Sequence, residues 1–392
     1  MKYFGSLAIL LFCTTVVKSQ FSDSIQSIIN KDTSLVIKEV FSHPESYKLK
    51  IILSQVTTDR NGGKHLNSWH FRDTISEYFY PASMVKIPVA LSFMEFLNEH
   101  KEFNPDHSDI LVDSSSLVKE RSLHNDLMLM LSASDNIAFN RIYNLVGCKY
   151  INIDLLKKRY KNTYVVHRFE PGNEKYHQTA LPVKVYNNTN KLIYSHPADS
   201  ATAILGHQLK DSLIGIGYYL NDSLYPRPKS FRYHNYVDIR DLHEMMISIV
   251  YPQLTTHKQF NLSEAQRDTI KYFLHRTPLH QNFKEYSDTS IFHQNFLRLI
   301  LFGRDKNVVY PDIEFFNKSA MAYGFMGDCC YLKDLKSNTE FFLTIYMYLN
   351  KDEILNDNKY EFDTIGVPFM RKFGELIYFW LRRDSSQIPE SH

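Results

Sequence analysis

Hydrophobic and polar positions change period several times along this chain, and each change marks an element. Residues 22–41 alternate charged and apolar positions at helical spacing, which predicts a first helix. Residues 47–56 read as a strand, Arg60-Asn61-Gly62-Gly63 as a turn and residues 66–73 as a returning strand, because asparagine and glycine tolerate the positive φ of tight hairpins. From Ser83 onward Ile87, Ala90, Leu91, Met94 and Leu97 recur at three- and four-residue steps, as a helix burying one face requires. The middle, residues 100–310, is mostly helical in pattern, with clear candidates at 151–160 and 239–250. Between 174 and 237 the chain is irregular and rich in Asn, Tyr, Pro and Ser, which predicts an elaborated loop region. Strands return at 313–323, 327–333 and 340–349, the last almost wholly apolar as a buried strand would be. Residues 369–381 close the chain as an amphipathic helix with Phe373, Leu376, Ile377 and Trp380 inward.

Strands near both ends with helices between them predict an α/β (α+β) fold. An antiparallel sheet is flanked by N- and C-terminal helices, and a mostly helical domain is inserted. Segments 20–99 and 310–392 would form the discontinuous sheet domain, segment 100–309 the helical one, and the cleft between them is the natural place for a site.

Composition narrows the partners. A chain of 392 residues with 44% hydrophobic content can bury a large core, and 45 basic against 43 acidic residues leave a formal charge of only +2. No block of like charge favours nucleic acid or an anionic membrane, so the expected partner is a small molecule or a peptide, bound by a monomer. Lys2, the apolar run 4–17 and Lys18-Ser19-Gln20 have the layout of a secretory signal cut after Ser19, so export to a periplasm or beyond is expected. The alternative, a membrane anchor, is disfavoured by the shortness of the run. Cys148, Cys329 and Cys330 are an odd set with two neighbours, which indicates no disulfide framework. His243-Glu244 lacks the second histidine of a zinc-protease helix, so no metal and no other cofactor is called for.

Three polar clusters carry chemistry. Ser83 and Lys86 lie one helical turn apart on one face, at a strand-to-helix junction where the helix N-terminus favours developing negative charge. Ser134-Asp135-Asn136 and Lys318-Ser319-Ala320 follow. Together they supply a nucleophile, an amine to take its proton, a hydroxyl to pass a proton on and a strand lysine to hold a carboxylate. Singly they are bland: Ser83 could be a helix cap, Ser134-Asp135-Asn136 a turn and Lys318 a solvated edge. A second Ser-x-x-Lys, Ser116 to Lys119, follows Ser114 and Ser115 in what reads as a surface turn close ahead of Ser134. Order, spacing and context single out the set that begins at Ser83.

With these motifs the chain resembles the penicillin-recognising serine enzymes, and within them the class A β-lactamase-like family, over most of its length after the signal. The resemblance implies Ser83 as acylated nucleophile, Lys86 as its base and Ser134 as proton relay to the leaving nitrogen. It implies Asn136 on the substrate's side-chain amide, Lys318 and Ser319 on its carboxylate, and the backbone N–H groups of Ser83 and Met321 as oxyanion hole. The run His167-Arg168-Phe169-Glu170-Pro171-Gly172-Asn173 looks like the family's Ω-loop, which makes Glu170 the candidate for aiming the deacylating water and Asn173 its helper, one residue earlier than the family pattern. Two departures stand out: Ala320 replaces the family's glycine, and long segments at 174–237 and 252–308 enlarge the helical region. The implied function is β-lactam hydrolysis by a secreted serine hydrolase. The alternatives are a cell-wall peptidase or esterase in which Glu170 is uninvolved, and a non-catalytic binding relative.

Overall fold

The computed structural model describes residues 23–74, 77–169, 179–200, 212–277 and 283–385. In chain order the main elements are α1 (Asp23–Lys31), α2 (Leu35–Ser42), β1 (Lys50–Thr58), β2 (Lys64–Phe71), α3 (Lys86–Glu99), β3 (Ile110–Val112), β4 (Glu120–Ser122), α4 (Leu123–Met128), α5 (Asn136–Val146) and α6 (Cys148–Lys157). They continue as β5 (Val183–Tyr186), β6 (Leu192–His196), α7 (Ile239–Val250), α8 (Glu264–His275), β7 (Ile313–Ala322), β8 (Phe325–Asp334), β9 (Glu340–Tyr348) and α9 (Val367–Ser385).

The central sheet has five strands in the order β7-β8-β9-β1-β2, antiparallel throughout. Its middle strand, β9, is buried along its whole length, which is why it carries no polar alternation. The β7–β8 hairpin turns at Tyr323 (φ +53) and Gly324 (φ +79), where a Cβ on the glycine would stand 2.6 Å from Asn350 Cβ. One face of the sheet packs on α1, α2 and α9 through Ile37, Leu53, Phe341, Phe369, Phe373 and Ile377. The other face joins a larger core with α3, α5, α7 and α8, centred on Phe93, Phe139, Ile142 and Met246. The fold is therefore the expected mixed α/β one: an antiparallel sheet between terminal helices and a helix-rich body.

Several boundaries differ from the sequence reading for local reasons. The single helix expected at 22–41 is two, because the Asp32 carboxylate accepts the Ser34 N–H at 2.8 Å and breaks the run. The region read as an elaborated loop at 174–237 holds β5 and β6, which join β3 and β4 in a four-stranded sheet. It also holds Gly217–Leu220, which pairs with Ser223–Tyr225 on one side and with Ile354–Leu355 on the other. Strands of two to five residues are too short for a period to declare itself. His243 is a core residue, with Nε2 2.9 Å from Ser54 Oγ and Nδ1 2.8 Å from Thr344 Oγ1, and burial pushes its pKa down to about 3.

Candidate active site

Ser83 sits in a tight 3-10 turn, Ala82–Val85, that runs straight into α3. The turn begins with a left-handed residue, Ala82 (φ +40), a conformation that costs a residue with a Cβ about 1–2 kcal/mol. It closes with Met84 N–H donating to the Pro81 carbonyl at 2.9 Å. The turn lies against β7 and β8, and Met84 reaches across to Gly327, where an added Cβ would stand 2.5 Å from Met84 Cε and 3.1 Å from the Ile345 carbonyl oxygen. The seat of the nucleophile thus depends on a bare Cα in β8.

Lys86, the first residue of α3, is wholly buried and is the hub of the site. Its Nζ donates to Ser83 Oγ at 3.1 Å, Ser134 Oγ at 3.2 Å, Asn136 Oδ1 at 2.7 Å and the Ser134 carbonyl at 2.5 Å. Burial pushes its pKa well below that of an ordinary amine, the nearby Lys318 charge pushes the same way, and Asp135 opposes. An amine so placed is a base poised on a hydroxyl.

The Ser134-Asp135-Asn136 loop is shaped by its own side chains. α4 widens into a π turn, Leu129–Ala133, that stops at Ser134 in the left-handed region (φ +58). Asp135 then caps α5, Oδ1 accepting the Ala138 N–H at 2.6 Å, while Tyr286 donates to its Oδ2 at 2.5 Å. Behind the loop Asp126 accepts from Arg121 Nε at 2.6 Å and Arg141 Nε at 3.0 Å, and Arg141 also donates to the Leu111 and Val118 carbonyls. Burial still raises the Asp126 pKa to about 6 despite both guanidiniums. By contrast Lys119, in the rival Ser-x-x-Lys, donates to the Ser114 carbonyl in an exposed turn.

Lys318, on β7, is buried and donates to the Met130 and Leu131 carbonyls at 3.2 and 3.0 Å, directly beneath the Ser134 loop. Burial lowers its pKa to about 7, and Asp328 opposes the shift. Ala320 pairs with Gly327 across the hairpin and is buried in the helical-side core. Its methyl therefore shares the face on which Gly327 makes room for Met84. Ser319 and Met321 alternate to the opposite face: the Ser319 hydroxyl donates to the Leu297 carbonyl at 2.6 Å, and Met321 is exposed. Among the described residues β7 stands last in the sheet order, and its Phe315 carbonyl lies 3.0 Å from His275 Nδ1.

Lys86 thus gathers Ser83, Ser134 and Asn136 at a single amine, and Lys318 joins them from the neighbouring strand. Asn136, expected on a substrate amide, here accepts from Lys86. Glu170 and Asn173 lie outside the described residues. Two residues to which the motifs gave no role shape the surroundings of the amine. The Phe169 ring centre lies 5.3 Å from Lys86 Nζ, and Asn140 clamps the Phe169 backbone from both sides, accepting its N–H at 2.7 Å and donating to its carbonyl at 2.8 Å. Asn140 falls one helical turn after Asn136 on α5, a spacing that puts both on one face and was legible in principle.

Comparison with known proteins bears on the fold. Residues 47–210 match the model of the β-lactamase enzyme family. No curated protein sequence matches the chain. Among solved structures, PBP-A matches at 13% identity over 93% of this chain and 97% of its own, with a TM-score of 0.52. A point mutant of PBP-A, an acyl-enzyme complex with penicillin G, matches at 12% identity over 92% of this chain and 97% of its own, also with a TM-score of 0.52. The β-lactamase from Sphaerobacter thermophilus matches at 12% identity over 94% and 98%, with a TM-score of 0.49. The chain shares its fold with PBP-A, and its stretch 47–210 is similar to the β-lactamase enzyme family.

Proposed function

We propose that this chain is a secreted serine hydrolase of β-lactamase-like chemistry that opens β-lactam rings by forming an acyl-enzyme on Ser83. The observation that carries the reading is the buried Lys86 amine within hydrogen-bond reach of both Ser83 Oγ and Ser134 Oγ. Neutral Lys86 takes the Ser83 proton as Oγ attacks the lactam carbonyl, a positioned proton transfer of the kind worth about 10²–10⁴-fold. The backbone N–H groups of Ser83 and Met321 hold the oxyanion, each donor being worth about 3 kcal/mol in comparable sites. As the C–N bond breaks, Ser134 gives its proton to the leaving nitrogen and recovers one from Lys86. The Lys318 ammonium attracts the substrate carboxylate. Export, read from the 4–17 run, would bring the site to cell-wall peptides and their β-lactam mimics.

A second reading, acyl transfer from an extended cell-wall peptide at the same serine, is favoured by the position of β7 at the end of the sheet order, where such a chain would pair beside the exposed Met321. The test of both is intact-mass analysis after incubation with benzylpenicillin and with a chromogenic cephalosporin. A penicilloyl adduct on wild type that is lost in Ser83→Ala is expected. Neither adduct nor turnover in wild type would refute acyl-enzyme formation.

A further inference from the structure

Resting on that reading, we infer that Phe169 sets the lifetime of the acyl-enzyme: its ring walls the Lys86 side of the Ser83 ester with hydrocarbon, so the ester forms readily and is hydrolysed slowly.

Hydrolysis of the ester needs a water whose oxygen attacks the acyl carbon while a base about 2.6–3.2 Å away takes its proton. The Ser83 Oγ–carbon bond then breaks, and the serine oxygen regains a proton. Lys86 Nζ is 3.1 Å from Ser83 Oγ, so a water serving this ester would approach beside the amine. That flank is where the Phe169 ring lies, 5.3 Å from the same nitrogen. Carbon and hydrogen at that spot can neither orient a water nor accept its proton.

The ring is held in place. Asn140 fixes the Phe169 peptide through both its N–H and its carbonyl, and the Phe139 and His167 rings pack on it with centroids 4.7 and 5.8 Å away. Lys86 and Ser134 suffice for acylation because in that step the proton circulates between them and the lactam. Hydrolysis has to admit a water to the ester beside that amine, and the Phe169 ring takes up this flank.

The experiment follows the penicilloyl adduct by intact mass after removing free benzylpenicillin, in wild type, Phe169→Glu and Phe169→Leu, with circular dichroism confirming the fold. Wild type should hold the adduct through many times the acylation half-time. Phe169→Glu, which puts a carboxylate on the ester's flank, should lose it at least about 10²-fold faster, the usual gain from a positioned base. Phe169→Leu, equally apolar, should lose it no faster than wild type. A wild-type adduct that clears rapidly and persists only in Glu170→Gln overturns the inference while leaving Ser83 acylation intact, and needs no Phe169 variant to fold. A folded Phe169→Glu that acylates yet deacylates at the wild-type rate also overturns it. No adduct and no turnover in wild type would sink the acyl-enzyme reading itself.

Discussion

Gly327→Ala is the most direct perturbation of the seat of Ser83. The new methyl would stand 2.5 Å from Met84 Cε and 3.1 Å from the Ile345 carbonyl oxygen. Ordinary carbon contacts lie at about 3.5–4.0 Å, so the thioether methyl has to retreat by about 1 Å. Met84 is fully buried, and a forced rotamer costs about 0.5–1.5 kcal/mol. The carbonyl belongs to β9 at the middle of the sheet and has little room to yield. Overpacking of this kind costs about 1–3 kcal/mol in all. Since Met84 adjoins the nucleophile in a turn of four residues, the displacement should also carry Ser83 Oγ off Lys86. Urea unfolding should report the loss of stability, and stopped-flow acylation by a chromogenic cephalosporin should slow by about tenfold or more. Because the conflict is with the terminal methyl, Met84→Leu in the Gly327→Ala background should recover part of both losses, a coupling that a double-mutant cycle isolates. Wild-type stability and acylation in Gly327→Ala, or strict additivity with Met84→Leu, would refute the close approach as the reason for the glycine.

Other outcomes follow from the same geometry. Acylation requires Lys86 without its proton and Lys318 with one. Lys318, lowered to about 7 by burial, loses its charge as pH rises through neutrality, so second-order acylation should fall on the alkaline side from about pH 7 and on the acid side as Lys86 protonates. A profile still rising at pH 9 would exclude the anchoring role of Lys318. Tyr286→Phe removes the hydroxyl on Asp135 Oδ2 and should slow acylation about fivefold, the equivalent of one hydrogen bond, while leaving urea unfolding changed by no more than about 1 kcal/mol. Arg141→Ala leaves Asp126 buried with one guanidinium instead of two and should cost about 3 kcal/mol or more in urea unfolding, and a loss below about 1 kcal/mol would deny the network its structural role.

How much was legible before the fold was known differs by kind of information. The helix 239–250 was readable to the residue, and the strands of the sheet to within a few, because burial of one face stamps a period on ten or so consecutive residues. The break at Asp32 and the ladders of the 174–237 region were not, because a side-chain cap or a three-residue strand leaves no such period. Among the chemical groups, Ser83, Lys86, Ser134, Asn136 and Lys318 announced themselves by type, order and context. The contact of Asn136 Oδ1 with Lys86 was not legible in the motif. Ser319 was named by the motif, and only the fold sets its hydroxyl on the Leu297 carbonyl.

By itself, then, the sequence determined which reactive groups the chain carries and in what order its strands and helices come, since both are written in residue types and short-range periodicity. Only the tertiary structure decided what those groups are able to do. The depressed basicity of Lys86 comes from burial and from Lys318 across the cleft. The space for Met84 comes from Gly327 in a strand far along the chain. The aromatic wall beside the amine comes from a clamp by Asn140 on another helix. Desolvation, close approach and enclosure are sums over neighbours distant in sequence, and no local pattern of residues encodes them.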